Sequence, residues 1–211
     1  MRYRKKGARI FLASALFTAF STSALAAQGD DPDWPCIQRK VPELSVGQIW
    51  NGPELPSVAA DWAKDAAIAG LVTQLAARRV PIAEAGQMIR DYAAGLTSTE
   101  RQMQLAKLMQ GLFEYMNRER SQVIGGIGRY AHTQRDMAAS LRQDASAVDA
   151  LRGTAGADAN EIAARDEQLV LRTRIFQERV QSLTFVCEVP TLIEQRLYAL
   201  AKTISQTMEE R

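Results

Sequence analysis

Beyond residue 97 the apolar side chains recur every seven residues, the spacing of a helix that buries one seam against another helix. One seam position reads Ala106, Phe113, Arg120, Ile127, Gln134, Leu141 and Val148. Its companion reads Met109, Met116, Val123, Tyr130, Met137, Asp144 and Leu151. Only Arg120, Gln134 and Asp144 break the apolar run, so this stretch predicts a long helix of coiled-coil type. Thr97-Ser98-Thr99-Glu100 has the form of a capping box that opens it. Gly153-Thr154-Ala155-Gly156 predicts a tight turn, and Asp158-Ala159-Asn160-Glu161 resembles a second capping box. The helix after that turn offers Ile162, Leu169, Phe176, Val180, Leu183, Cys187, Leu197, Ala201, Ile204 and Met208 in a less regular register. Two helices of about 54 and 50 residues joined by a short turn pack antiparallel.

Upstream, two shorter helices are expected. Ser57 suits an N-cap, and Val58, Trp62, Ala69, Val72 and Ala76 repeat at helical spacing to about Arg79. Pro81 suits the first turn of the next helix, and Gly95 its stop. Residues 28–56 are different. Pro32, Pro35, Pro42, Pro53 and Pro56 forbid a continuous helix, while Trp34 and Trp50 argue against a loose tail. An extended strap lying on the helices is expected.

Pairing about a turn near residue 155 brings Gly125, Gly126 and Gly128 within about two turns of Pro190. Glycine and proline are common causes of helix bends, so both long helices are expected to weaken at one level. Apolar residues are denser on the chain-end side of that level than on the turn side. A wide apolar face needs several neighbours, whereas a narrow stripe needs one. The fold expected is therefore all-α: a helical bundle base, 57–128 and 186–211, with a coiled-coil hairpin arm, 129–185, and a strap, 27–56. The arm would project roughly 35–40 Å.

The first 26 residues change the picture of where this happens. Arg2, Arg4, Lys5, Lys6 and Arg9 precede an apolar core, Ile10 to Phe20, and Ala24-Leu25-Ala26 has the small-x-small cleavage pattern. This predicts a signal peptide cut after Ala26 and a periplasmic location. The apolar core is short for a membrane span, so no stable insertion is expected after cleavage. The net charge is +2 and the leader holds five basic and no acidic side chains, which leaves −3 after cleavage. Nucleic acid is accordingly not an expected partner. Cys36 and Cys187 are expected to form a disulfide in an oxidising compartment, closing a loop of about 150 residues.

Candidate chemistry is sparse. His132 is the one histidine, too few for a His-based zinc site or a Ser-His-Asp set. Met103, Met109, Met116 and Met137 lie at or near core spacing and read as filling rather than as copper ligands. Asp30, Asp31 and Asp33 read as a solvated acidic tail. No metal or cofactor is expected, and an enzyme is not. The arm carries Arg135, Arg142, Arg152, Arg165, Arg172, Arg174 and Arg179, suited to gripping planar carboxylates of a partner protein or of the facing helix. The expected function is an exported, non-enzymatic scaffold, adaptor or chaperone that docks through this arm, which also offers a surface for a homodimer. The alternative is a carrier of a small ligand, cofactor or metal. Its pocket would lie at the bend, among Arg120, Gly125, Gly126, Gly128, Tyr130, His132, Pro190 and Glu194.

Overall fold

A computed structural model describes residues 31 and 33–209. The predicted leader, its cleavage point and Asp30 lie outside the described residues. The elements are α1 (Val46–Ile49), a 3-10 helix (Ser57–Lys64), α2 (Ala66–Ala76), α3 (Ile82–Ala94), α4 (Ser98–Arg152) and α5 (Ala159–Glu209). There is no strand among the described residues, and the fold is all-α.

Local sequence explains most element boundaries. The Thr97 hydroxyl accepts from the Glu100 N–H, and the Glu100 carboxylate accepts from the Thr97 N–H, so two orphan donors at the start of α4 are satisfied. The Thr97 hydroxyl, donating to the Glu100 carboxylate at 2.7 Å, and then the Thr97 N–H hold the Glu100 carboxyl below its ordinary pKa. Gly95 closes α3. Between α4 and α5, Gly156 takes a positive φ of 80°, where a Cβ would be strained.

The first of the two shorter helices departs from expectation. Residues 57–79 are not a single helix begun by Ser57. They form the 3-10 helix, a break at Asp65, and α2. Asp65 is the real cap: its carboxylate accepts from the Ala67 and Ile68 N–H groups. Val58, expected on the buried face, is exposed and Ala59 is buried in its place, while Trp62, Val72 and Ala76 of the expected face are buried. The tighter winding turns Trp62 onto α4. Its indole donates to Glu114 at 2.8 Å, and its ring lies so close to Gly111 that a Cβ there would sit 2.8 Å from the ring.

The two long helices pack against each other along the predicted seam. Ala106, Phe113, Arg120, Ile127, Gln134, Leu141 and Val148 are all buried, and of the companion positions Met109 and Met116 are buried and the rest half-buried. On α5 the matching row is Ile162, Leu169, Phe176, Leu183, Pro190, Leu197 and Ile204. Val180, expected in the seam, is 44 % exposed. Met103, expected near the core, is exposed as well.

Both helices run without interruption through the level of expected weakness. Pro190 sits inside α5 and is buried. Its ring nitrogen cannot donate to the preceding turn, yet seven-residue spacing places it in the seam, where a compact apolar ring fits.

The main core joins α2, α3, the 3-10 helix, α4 up to Val123 and α5 from Val189, with Ile49 and Trp50 of the strap. A second, small cluster follows: Cys36, Ile127, Ala131, Leu183 and Cys187, flanked by Trp34 and Tyr130. Towards the turn, α4 buries only Gln134, Leu141 and Val148. No helix among the described residues is long and apolar enough to cross a membrane.

Candidate functional site

The strap meets α4 where a buried polar side chain, Arg120, stands in the seam. It runs down α4 in the opposite direction. Asp33 meets Arg135, the Val41 carbonyl accepts from Arg120 at 2.6 Å, and the Pro42 carbonyl accepts from the Ser121 hydroxyl at 2.8 Å. Asn117 exchanges two hydrogen bonds with the Leu44 backbone. Prolines prevent the strap from satisfying its own carbonyls in a helix, so α4 side chains do it. The short helix α1 then interrupts the extended path, and Trp50 is buried with its indole donating to the Pro53 carbonyl at 2.7 Å. Cys36 and Cys187 are joined, with Cα atoms 5.5 Å apart.

Arg120 occupies a seam position and is 3 % exposed. Nε donates to Glu194 Oε1 at 2.6 Å, and Nη2 lies 2.5 Å from the same oxygen. Nη1 goes to the strap. One guanidinium thus ties α4, α5 and the strap together. Beside it is an enclosed cavity of about 120 Å³, lined by Trp34, Val41, Arg120, Ile124, Pro190 and Glu194 among others. At about 30 Å³ per water molecule, that is room for a few waters.

A second recess lies one step towards the turn. It is an open groove of about 510 Å³, with Asp31, Asp33, Lys40, Gly128, Arg129, His132 and Thr133 on its walls. His132 is exposed; its Nδ1 is 3.3 Å from Asp33 Oδ1 and 3.1 Å from Arg135 Nη2, and its Nε2 is 3.5 Å from Asp136. Asp31 is paired with Lys40 at 2.5 Å. The Lys40 ammonium and the Asp33 N–H hold the Asp31 carboxyl below its ordinary pKa. Asp31 and Asp33 are therefore not the solvated tail expected of them: Asp33 ties the strap to Arg135 of α4, and Asp31 closes the strap on itself through Lys40.

The eight residues expected to share one pocket separate into two places. Arg120, Pro190 and Glu194 line the enclosed cavity. Gly128 and His132 line the open groove, and a Cβ on Gly128 would lie 3.9 Å from the Asp33 carbonyl. Tyr130 faces α5 and donates to the Arg179 carbonyl at 3.5 Å. Gly125 and Gly126 border neither space, and the nearest atoms to a Cβ on either belong to Arg129.

The arm's arginines divide by partner. Arg172 meets Asp144 and Arg152 meets Asp166 across the hairpin. Arg165–Glu161 and Arg174–Glu178 pair within α5, and Arg135 holds the strap. Arg142 and Arg179 are exposed. Sequence reasoning missed Arg196, whose guanidinium donates to the Leu75 and Val80 carbonyls at 2.6–2.8 Å. It caps the C-terminal end of α2, where a cation also complements the helix dipole, and burial lowers its pKa. Its contacts lie more than a hundred residues away, and no local pattern announces them.

Among the described residues, no three His, Cys, Asp or Glu side chains converge as a metal site. Set against known protein families, characterised proteins and solved structures, the chain matches none.

Proposed function

We propose that this chain is an exported, non-enzymatic interaction module, periplasmic in location, whose hairpin arm docks on a partner protein as scaffold, adaptor or chaperone. One observation carries the reading: among the described residues, from the small cluster at Cys36–Cys187 towards the turn, each long helix packs its seam only on the other. A hairpin that extends past the main core contributes little to that core, and its length is explained by what it reaches. Its exposed side chains include Arg142 and Arg179, outside the ion pairs of the hairpin, and large apolar groups such as Val170 and Phe185. A disulfide is compatible with an oxidising exported compartment. The carrier reading finds less support. The enclosed cavity is well below the roughly 300 Å³ of a small-molecule pocket, the Arg120 guanidinium beside it is already held by Glu194 and Val41, and the larger groove at Gly128 and His132 is open to solvent rather than enclosing.

The test is capture from the native periplasm with tagged full-length protein, beside a form in which residues 131–183 are replaced by a short loop. The expected result is a protein retained only by the full-length form, with the shortened form still folded. Equal capture by both forms, or none by either, defeats the reading.

A further inference from the structure

The outer side of α5 carries a second apolar row, opposite the row that meets α4. Leu171, Ile175, Phe185 and Leu192 are 57 %, 37 %, 70 % and 48 % exposed, and half-buried Val189 lies between the last two. They recur at steps of three, four or their sums, so they share one face of the helix. Glu178 and Ser182 occupy the middle of that face. In the base the neighbouring side of α5 is covered by α3; along the arm nothing in the chain's described part covers it.

Apart from Leu192, whose counterpart is Gln168, the row is symmetric about residue 180. Ile175 and Phe185 are equally far from it, as are Leu171 and Val189, and as are Glu178 and Ser182. A face with that property is complementary to itself under a two-fold axis. An antiparallel second copy places Ile175 on Phe185 of the other chain, and Leu171 on its Val189, twice over. The rim agrees in charge. Antiparallel packing brings Arg174 beside Glu188 of the other copy, again twice, while neutral Gln181 meets itself on the axis. On the opposite rim Arg179 approaches its own copy, with Glu178 of each chain adjacent. The paired stretch ends near Leu192, because beyond it the same face of α5 turns onto the base: Arg196 donates to the Leu75 and Val80 carbonyls, and Thr203 lies against Gly86 of α3.

We propose that a second copy of this chain covers this face, giving an antiparallel α5–α5 dimer that crosses at the level of residue 180, with residues 171–189 of each copy in contact. The proposal is independent of the docking function. A monomeric variant that still captures a partner protein leaves the function standing, and a dimer without a partner leaves this proposal standing.

The test is sedimentation equilibrium on the purified chain. A dimer is expected for the unaltered protein at about 100 µM. Phe185→Glu should give a monomer with an unchanged thermal transition, because Phe185 contributes little to the fold of one chain. Arg174→Glu and Glu188→Arg should each weaken the dimer by about tenfold, and R174E/E188R together should regain most of that loss. Arg179→Gln should tighten it by removing the like-charge approach. A monomer at that concentration, a dimer untouched by Phe185→Glu, or a double variant no tighter than either single one overturns the proposal.

Discussion

The two ends of α4 belong to one uninterrupted helix yet live in different surroundings. Between Leu105 and Met116 it buries Leu105, Ala106, Leu108, Met109, Gly111, Leu112, Phe113 and Met116, with α5 on one side and α2 and the 3-10 helix on others. Past Ala131 it buries one residue in seven: Gln134, Leu141 and Val148. The difference shows how a hairpin can extend past its core. A single seam with flanking ion pairs keeps two helices together, but it removes far less apolar surface from water than a four-sided core. Stability is therefore concentrated at the base, and the strap and disulfide sit at the boundary between the two regimes.

The largest effect that sharpens this contrast is removal of the disulfide. Cys36→Ser/Cys187→Ser frees a crosslink spanning 151 residues, and the chain-entropy model assigns such a loop about 5 kcal/mol. Denaturant unfolding should show a loss approaching that figure. A loss below about 1 kcal/mol would mean the strap is held by its hydrogen bonds alone.

Paired truncations follow. Leu108→Ala, in the fully buried base, should destabilise by about 3 kcal/mol, and Leu141→Ala, in the arm seam, by about half that. Equal losses would break the comparison. Hydrogen exchange reads the same contrast without mutation, and arm amides should exchange well before those of Leu105 to Met116.

A gain is expected at Gln134. Its amide Nε2 and Oε1 are buried in the seam without a hydrogen-bond partner, so Gln134→Leu should stabilise the chain by about 1 kcal/mol. If thermal unfolding moves down instead, the amide has a use in the seam.

The smallest effect is acid loosening of the strap. The folded pKa of Asp31 lies below its ordinary 3.8. The stabilisation its ion pair adds is therefore fully present above the unfolded value and is lost as pH falls through the lower folded value. Asp31→Asn should remove the part of the acid response that a fluorophore near Trp34 reports below about pH 4.

Much of this could be read from the chain. Seven-residue spacing located the seam residue by residue on α4, because a coiled-coil partner imposes that period on whatever faces it. Caps and turns at Thr97, Gly95 and Gly156 are local chemistry and needed nothing else. Over residues 57–79 the apolar spacing does not separate 3-10 from α winding, because the two share it over a few residues. What distinguishes them here is the packing of Trp62 on Gly111.

The candidate site was legible only in pieces. Arg120 and Glu194 stood out as polar seam positions, and the strap as a proline-rich segment with a cysteine. That Arg120 joins all three, that Asp33 ties the strap to α4, and that Gly125 and Gly126 border neither recess depend on which distant groups come together. The sequence alone determined helix, seam, turn and disulfide, since each follows from periodicity, capping or cysteine count within a short window. Only the tertiary structure decided that Pro190 stays inside a continuous helix, that Arg196 caps α2, and that the second apolar row of α5 is left uncovered, because burial and pairing are properties of neighbours that the chain brings together from far apart.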